Sequence, residues 1–376
     1  MKIEQGNIFE DLFVLELANN HWGDLKRGLK IVHDYSQIVR FNSVKAAIKL
    51  QFRDVESFIH KDFRGREDIR YISKTEATKL SDHDYLAIVK AIIQGGCIPM
   101  ATPFDEKSVD LCVKLGIKII KIASSDINDW FLIEKIAKTR LPVIVSSGGT
   151  MVKDVDDIVS FFKNRNIPLA INHCVSLYPS EDEDLELNQI DYLKNRYPDN
   201  VIGFSTHEYN DWQSSIMMAY AKGARTFERH IDIEADDISV SKYCSLPYQT
   251  DTWFKAYKKA VEMCGGDPRR KRIPPRREIE YLNALVRGVY AKRELPAGYT
   301  LRYETLDDDF YLAIPLQKGQ LSCREIMSGE TLLKKIEKDS AICIDDIDSP
   351  YMKDKHLRKL LYNRGISPKK DTNEAD

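Results

Sequence analysis

The chain has 376 residues, of which 43% are hydrophobic and 30% charged, and its formal net charge is -2. This length fits one large domain and one small one, and the near-neutral charge excludes a bulk preference for nucleic acid or for membrane surfaces. Seven cysteines without a CxxC pair, no secretory signal pattern and no long apolar run indicate a protein of the reducing cytoplasm.

Short apolar runs alternate with helical patterns along residues 1–264, which is typical of βα units around a parallel sheet. We predict eight strands and a closing helix near Thr250–Cys264. The strands are expected near Phe13–Ala18, Val44–Gln51, Cys97–Ala101, Ile117–Ser124, Pro142–Ser147, Pro168–His173, Val201–Ser205 and Arg225–His230. Eight strands favour a (β/α)8 TIM barrel. The alternative is a doubly wound open sheet, which is weakened because no GxGxxG turn follows a predicted strand.

The rest of the chain shows three further patterns. The interval from Gln51 to Cys97 is too long for one helix, so we predict an elaborated βα loop of the kind that often covers active sites. Residues 265–280 combine Gly, Pro and many Arg, and we interpret them as an interdomain linker rather than a nucleic-acid patch. Short strands and turns predict a compact β-rich domain at 281–349. A charged tail at 350–376 is expected to form a short helix that frays.

Side-chain parity predicts which residues face the barrel interior. Inward side chains repeat every second residue, and the active site of such a barrel lies at the C-terminal strand ends. Parity places Glu16 in the barrel mouth, where a buried carboxylate is costly unless cations meet it. Lys49 and Lys121 are the expected cations, and an ion pair that only fills the barrel is the alternative. His207 and His230 end adjacent strands. Two imidazoles there favour a shared divalent ion with open positions, such as Mn²⁺, over closed tetrahedral zinc.

Other polar residues also follow strands. His21 and His173 either orient a substrate or cap the barrel. Small hydroxyl residues and glycines occur in KIASSD (Lys121–Asp126), VSSGG (Val145–Gly149) and GFSTH (Gly203–His207). Because Ser and Gly beside helix starts expose backbone N–H groups, these motifs favour phosphate. Together with the two lysines they predict a phosphorylated or carboxylated small molecule as the ligand.

A set of motifs carries a family resemblance. These motifs are ELANNHWGDL, IKLQ, ATPFD, KIASSDINDWFLIEKIA, PVIVSSGGT, HCVSLYPS, IGFSTHEYN and TFERHID, in this order between Leu12 and Pro247, followed by RGVYAKRELPAG. The set resembles the sialic acid synthase family, whose members condense phosphoenolpyruvate with an aldose to give a 3-deoxy-2-ulosonic acid and phosphate. The resemblance implies a TIM barrel followed by a small β-rich antifreeze-like (SAF) domain. It also implies a domain-swapped homodimer.

The resemblance implies roles for individual residues. The catalytic residues are expected to be Glu16, Glu228, His207 and His230, and the two histidines are the expected ligands of a divalent metal, Mn²⁺ with Mg²⁺ or Co²⁺ as alternatives. The residues expected to hold phosphoenolpyruvate are Lys49, Gln51, Thr102, Lys121, Ser124, Ser146, Tyr178 and Ser205. In the implied reaction the ion polarises the aldehyde, C3 of the enol attacks it, and water adds at C2 before phosphate leaves.

Departures from the family pattern concern the sugar. Relatives that use N-acetylated hexosamines carry an Asp where Ser241 stands, an Arg in a loop that reads FYLAIPLQKGQ here without Arg, and often an Asn where Ser176 stands. Because a polar sugar site that loses a partner changes its selection strongly, we expect an aldose other than N-acetylmannosamine. The alternatives to a synthase are a pyruvate-dependent metal aldolase and a non-catalytic sugar-binding relative.

Overall fold

The computed structural model describes residues 7–326 and 329–367. The chain divides into two compact units, Met1–Gly265 and Gly266–Asp376. In the first unit eight parallel strands pair in chain order, and β1 (Leu12–Ala18) also pairs with β8 (Thr226–His230), which closes the sheet. The first unit is therefore a TIM barrel, as the strand count predicted. The alternative prediction of an open doubly wound sheet is wrong.

All eight predicted strands are present in the barrel. The intervening strands are β2 (Lys45–Phe52), β3 (Ile98–Pro103), β4 (Ile119–Ile122), β5 (Val143–Ser146), β6 (Leu169–Cys174) and β7 (Val201–Thr206). The helices of this unit are α1 (Leu25–Asn42), α2 (Val55–Phe58), α3 (Arg70–Ala77), α4 (Asp82–Gln94), α5 (Glu106–Leu115), α6 (Trp130–Lys138), α7 (Val152–Asn164), α8 (Asn188–Arg196), α9 (Ser214–Lys222) and α10 (Pro247–Cys264). Strand β4 is shorter than predicted, because the chain already turns into a 3₁₀ helix at Ser124–Asp126.

Capping residues in the sequence explain where several helices begin and end. The Asp24 carboxylate accepts the Lys26 N–H at the start of α1, and the Asp105 carboxylate accepts the Ser108 N–H at the start of α5. Such side-chain acceptors satisfy N–H groups that have no partner within the helix. At its other end α5 stops at Gly116, whose φ of 75° is a left-handed conformation that glycine adopts without strain.

The barrel interior is layered. Its lower layer is apolar and buried, and it consists of Phe9, Leu12, Val14, Ala47, Met100, Ile119, Ile144 and Ala170. A larger apolar core lies between the strands and the surrounding helices. Because inward side chains alternate along each strand, the next inward position on β1 is Glu16 and the next on β2 is Lys49. The change from apolar to charged residues thus occurs one layer above the apolar floor.

The segment between β2 and α4 is an elaborated loop, as its length predicted. It contains α2, a 3₁₀ helix at Lys61–Phe63 and α3. Val55, Ile59 and Leu80 are its buried apolar residues, whereas residues 60–68 are exposed. In the part of the chain that the structure describes, no helix is both long and apolar enough to cross a lipid bilayer.

The second unit is built from short strands and turns. Strands β9 (Gly288–Ala291) and β10 (Phe310–Ala313) form one antiparallel pair, and β11 (Thr331–Leu332) and β12 (Ile347–Asp348) form another. Its helices are α11 (Arg276–Asn283), α12 (Leu306–Asp309), α13 (Cys323–Ile326) and α14 (Lys355–Asn363). An apolar core that includes Val289, Leu301 and Phe310 holds these elements together.

The predicted separation of a tail at residue 350 needs correction. Helix α14 belongs to the second unit, because Leu361 is fully buried in its core and Leu357 packs against the same core. These two leucines are four residues apart and therefore share one face of the helix. Ile366 also forms a backbone bridge to Gln317. The predicted frayed end beyond residue 367 lies outside the described residues.

Candidate active site

Strand register brings charged side chains together inside the barrel. Glu16 on β1 is in register with Lys49 on β2 and with His230 on β8. The Lys49 ammonium forms an ion pair with Glu16 and a second one with Oε1 of Glu228, at 2.9 Å. Lys49 also donates to the hydroxyl of Thr102 at 3.2 Å. The side chains of Glu16, Lys49 and Glu228 are at most 7% exposed, so their charges interact in a medium that screens them weakly.

Glu228 is the hub of this network. Its Oε2 accepts hydrogen bonds from Lys121 at 2.5 Å and from the Asn172 amide at 3.2 Å. The Asn172 side chain is in turn held by the hydroxyl of Thr226, which donates to its oxygen at 2.6 Å. Two lysines and two glutamates thus form a buried ring at the strand ends, and their formal charges cancel. We call Glu16, Lys49, Lys121 and Glu228 the charged ring.

The two carboxylates of the charged ring differ in acidity. Burial raises the pKa of Glu16, and Lys49 offsets this only in part, since the Glu228 carboxylate opposes the charge. Burial also pushes the pKa of Glu228 upward, but Lys121 and Lys49 together outweigh burial and hold this pKa well below its ordinary value. Glu228 is therefore the permanent counterion of the lysines, and Glu16 is the more basic carboxylate.

One oxygen of the charged ring has no hydrogen-bond partner among the described residues. Oε1 of Glu16 is buried and accepts no hydrogen bond from any of the described residues. A buried carboxylate oxygen without a donor is unfavourable. It can be satisfied by a water molecule or by a hydroxyl group of a ligand, and the Glu16 carboxylate is thus an acceptor for a proton-bearing group at the barrel mouth.

The predicted histidine pair lies beside the charged ring. The ring centroids of His207 and His230 are 5.4 Å apart. Nδ1 of His207 is 2.9 Å from the carbonyl oxygen of Val175 and therefore carries the proton, which leaves the Nε2 lone pair available to a metal ion. Tyr178 packs on His207, with centroids 4.0 Å apart, and Tyr243 packs on His230 at 5.1 Å.

The electrostatics of the pair suit a metal ion. Burial lowers the pKa of His207 to about 4, and burial together with the neighbouring His207 lowers the pKa of His230 well below its usual range. Both imidazoles are thus neutral at pH 7, the form that binds metals. Within residues 7–326 and 329–367, no group of three or more His, Cys, Asp or Glu side chains is arranged to hold a metal ion. The pair therefore suits an ion that takes its other ligands from water or substrate.

Small residues form a polar pocket at the ends of β4 to β7. The Gly148 N–H donates to the Ser124 hydroxyl at 3.0 Å, and the hydroxyl groups of Ser124 and Ser205 lie close enough to the Cys174 thiol to influence its pKa. A side chain at position 148 would collide with the hydroxyl of Ser176. The backbone is thus kept bare next to several hydroxyl groups, which is an arrangement that suits an anionic oxygen.

Two predicted ligand residues lie at different places in this arrangement. Ser146 ends β5 and is buried, with Asn172 of the neighbouring strand in register. Gln51 instead lines a cleft of about 500 Å³ together with Asn19 and Arg53. Arg53 donates to the Gln51 side-chain oxygen at 3.0 Å. Gln51 therefore lies at the edge of the barrel mouth rather than in the charged ring.

The two other histidines predicted at strand ends, His21 and His173, contact protein groups. The His173 ring is within hydrogen-bonding distance of the Leu185 carbonyl, at 2.8 Å, and stacks on Phe204. His21 is fully buried and its Nδ1 accepts the Gly23 N–H. Nε2 of His21 is buried and has no hydrogen-bond partner among the described residues. A substrate-orienting role and a barrel-capping role therefore both stay predictions for these two histidines.

Asn172 and Tyr243 lie at the site but are absent from the predicted residues. Asn172 has the inward parity of β6, so the parity rule applied to this strand would have selected it instead of His173. Tyr243 is located in the loop after β8, where no sequence period indicates which way a side chain points. Its contact with His230 is therefore visible only in the structure.

The buried His21 gives a testable pH dependence of stability. Burial lowers its pKa from 6.5 to about 4. Between these values the unfolded chain binds a proton that the folded chain does not, so the free energy of unfolding falls as the pH falls, by up to about 1.4 kcal/mol per pH unit. Urea denaturation between pH 7 and pH 4 is expected to show a shallower decline for His21→Gln than for the unchanged protein.

A matched control for this measurement is His83→Gln, because the His83 side chain is 89% exposed. This substitution is expected to leave the pH profile as it is. An unchanged profile in the His21 variant would show that His21 does not supply the slope.

Comparison with known proteins places these observations in context. The profile of the NeuB family matches residues 41–267. A Chromobacterium violaceum protein that is proposed to be spore coat polysaccharide biosynthesis protein E has a crystal structure with a TM-score of 0.86 and 35% identity, covering 90% of this chain and 100% of that one. Human N-acetylneuraminate-9-phosphate synthase is 25% identical over 343 residues, 89% of this chain and 92% of its own. Pseudaminic acid synthase of Campylobacter jejuni is 27% identical over 311 residues, 79% and 87% of the two chains.

Proposed function

Because the chain belongs to the NeuB family, we propose that it is a synthase that condenses phosphoenolpyruvate with an aldose to form a 3-deoxy-2-ulosonic acid and phosphate. The observation that carries the proposal is the buried charged ring beside the histidine pair at the C-terminal strand ends. Buried charges cost several kcal/mol each, so a barrel that served only as a scaffold or a passive sugar binder would gain stability from apolar residues there. The loss of stability caused by burying the charged ring is explained if these charges take part in catalysis.

Phosphoenolpyruvate is an anion with a carboxylate and a phosphate, and the barrel mouth offers donors for both. Lys49, Thr102 and Lys121 lie on the neighbouring strands β2, β3 and β4. Further donors lie at the ends of β4, β5 and β7, namely the hydroxyl groups of Ser124, Ser146 and Ser205, with the backbone of Gly148 beside Ser124. Tyr178 packs on His207. A pyruvate-dependent aldolase would leave the donors for the phosphate unused, which favours phosphoenolpyruvate over pyruvate.

The condensation needs a proton acceptor and charged side chains that stay fixed in position during the reaction. C3 of the enol attacks the aldehyde carbon of the aldose, positive charge develops at C2, and a water molecule adds there before the C2–O bond to phosphate breaks. Glu16 is the more basic carboxylate and has a free buried oxygen, so it takes the proton from the attacking water. Glu228 holds Lys49 and Lys121 in place and stays ionised.

The histidine pair supplies the remaining function. When bound to His207 and His230, a divalent ion, Mn²⁺ or alternatively Mg²⁺ or Co²⁺, supplies Lewis-acid polarisation of the aldehyde oxygen. The protein keeps both imidazoles neutral by burial and orients His207 through the Val175 carbonyl. Tyr178 and Tyr243 pack against the two rings and limit their rotation.

Two finer features belong to the same proposal. Residues 281–349 constitute an antifreeze-like (SAF) domain, and the protein is a domain-swapped homodimer. The support is the RGVYAKRELPAG motif and the similarity to the human synthase, which extends over 89% of this chain. We also propose an aldose other than N-acetylmannosamine. The support is Ser241, which stands where relatives that use N-acetylated hexosamines carry Asp, and the absence of Arg from FYLAIPLQKGQ.

The proposal is tested by incubating the protein with phosphoenolpyruvate and Mn²⁺ across a panel of aldoses, N-acetylated hexosamines and their phosphates. One aldose is expected to give ulosonic acid and phosphate in equal amounts, and chelation of the metal by EDTA should stop both. Lys121→Met should abolish this turnover, whereas Lys118→Met should not, because Lys118 is exposed. A product formed from pyruvate without phosphate would overturn the proposal in favour of an aldolase.

A further inference from the structure

Arg53 directly follows β2, and its charge is not used in an ion pair with any described residue. Its guanidinium donates to the Gln51 side chain at 3.0 Å and to the Tyr71 hydroxyl at 2.6 Å, and it stacks on Phe104 with Cζ 3.7 Å from the ring centroid. Nε of Arg53 is buried, and no described residue accepts a hydrogen bond from it. None of the carboxylates in the described ranges forms an ion pair with this arginine. Its hydrogen-bond and stacking partners among the described residues are therefore neutral.

The cleft beside Arg53 contains other cations, but these are already paired. Lys107 lies 2.6 Å from Asp54, Lys114 lies 2.8 Å from Asp82, and Lys79 lies 3.6 Å from Glu56. Asn19 and Gln51 line the same cleft of about 500 Å³. Among the described cations that line this cleft, Arg53 is thus the one without an ion pair, and its charge is open to a ligand. A half-buried guanidinium with an unused N–H group is a strong recognition element for phosphate or carboxylate oxygens.

The position of Arg53 relates the cleft to the charged ring. Arg53 lies two residues beyond Gln51 and four beyond Lys49, about 13 Å along an extended chain. Asn19 follows β1, three residues beyond Glu16. The cleft is lined by residues at the ends of β1 and β2 and by residues of α4 and α5, and its lining includes none of the four charged-ring residues. It therefore lies beside the reacting centre, which suits the far end of an extended sugar chain rather than its aldehyde.

A second polar group without a partner lies near Arg53. Asp126 follows β4, and one of its carboxylate oxygens accepts from Ser125 at 2.8 Å while the other is buried and accepts no hydrogen bond from the described residues. Arg53 is close enough to act on the Asp126 charge. A bare anion at Arg53 would be repelled by Asp126. A ligand that also offers a hydroxyl group to Asp126 would satisfy both residues, and a sugar with an anionic end has both groups.

We propose that Arg53 binds an anionic terminal group, a phosphate or a carboxylate, on the acceptor aldose. This inference rests on the proposed function, because it assigns the far end of the same acceptor. Nε of Arg53 donates to the anionic oxygen, and the stacking on Phe104 holds the guanidinium in a fixed plane. Arg53 is thus a specificity-determining residue that selects charged aldoses over neutral ones.

The test measures binding to the full chain by calorimetry and does not require turnover. The probes are mannose, mannose 6-phosphate and mannuronate, with N-acetylmannosamine and its 6-phosphate as a second set. The unchanged protein is expected to bind a charged probe about 10- to 100-fold more tightly than the neutral sugar, the range expected for a hydrogen bond to a charged group. Arg53→Gln should remove this preference, and Arg66→Gln, at an exposed arginine paired with Asp68, should keep it.

Each outcome decides the proposal. A preference for the 6-phosphate over the uronate identifies phosphate as the group, and the reverse identifies carboxylate.

Three results would overturn the inference. They are equal affinity for charged and neutral probes, no binding of any charged probe, and an unchanged preference in Arg53→Gln. Arg53→Lys, which keeps the charge but loses Nε, should retain only part of the preference, and thermal unfolding checks that both variants fold. A charged-probe preference without any condensation would overturn the proposed function while leaving this inference standing.

Discussion

Replacement of His207 by Ala is expected to lower the rate of condensation by about a hundredfold or more while the barrel stays folded. His207 is one of two imidazoles at the strand ends, and its Nε2 is free because Nδ1 is held by the Val175 carbonyl. The described residues provide no third side chain that could take its place in a metal site. Loss of a residue that only orients a metal ligand already costs about 10- to 100-fold, so loss of the ligand itself should cost at least as much.

The measurement is phosphoenolpyruvate consumption at saturating Mn²⁺, combined with direct measurement of Mn²⁺ affinity. The matched control is His83→Ala, because the side chain of His83 is 89% exposed. The His207 variant should lose both Mn²⁺ affinity and turnover, and the control should lose neither. Metal-dependent turnover at the original rate in the His207 variant would contradict the assignment of the histidine pair as the metal site.

Replacement of Glu228 by Gln is expected to cause the largest loss of stability. Glu228 is the ion-pair partner of Lys121, and both side chains are at most 7% exposed. The substitution leaves the Lys121 ammonium buried without a carboxylate, whereas Lys49 keeps Glu16. Breaking a buried pair by removing one partner costs about 3–5 kcal/mol, so the free energy of unfolding at pH 7 should fall by this amount. Urea denaturation followed by circular dichroism measures it.

The pH dependence of this loss has a defined sign. The lysines hold the pKa of Glu228 below its ordinary value of 4.5, so its contribution is fully present above pH 4.5 and is lost as the pH falls below that value. The difference between the unchanged protein and the variant should therefore be constant near neutral pH and shrink in acid. Asp156→Asn, which breaks the exposed pair with Arg196, should cost less than about 1 kcal/mol. Equal losses in the two variants would contradict a special role for the buried pair.

The sequence was sufficient to predict the barrel because its signal is repeated. Eight apolar runs separated by helical patterns specify one closed parallel sheet, and an error of two residues at one strand, as at β4, does not change the count. The second unit was harder to delimit. Its strands are two to four residues long, and helix α14 carries many charges on its exposed side. The two leucines that pack α14 on the core are a weak signal beside those charges, which is why the helix was predicted to be a tail.

For the site, the alternation of inward and outward side chains predicted side-chain direction wherever a strand was regular. It correctly placed Glu16, Lys49 and Glu228 on the inward face and the histidine pair at adjacent strand ends. It could not be used for side chains in loops, because loops have no repeating direction. Arg53 and Tyr243 are such residues, and their surroundings depend on contacts between segments that are distant in the chain.

The measurement that tests the central claim most directly is the fate of oxygen from water during the reaction. The protein, phosphoenolpyruvate, Mn²⁺ and the aldose panel are incubated in ¹⁸O-labelled water, and phosphate and sugar acid are analysed by mass spectrometry. Addition of water at C2 with cleavage of the C2–O bond predicts unlabelled phosphate and an ulosonic acid that carries the label. Labelled phosphate without an ulosonic acid would mean that water attacks phosphorus, and would contradict a condensing role for the charged ring.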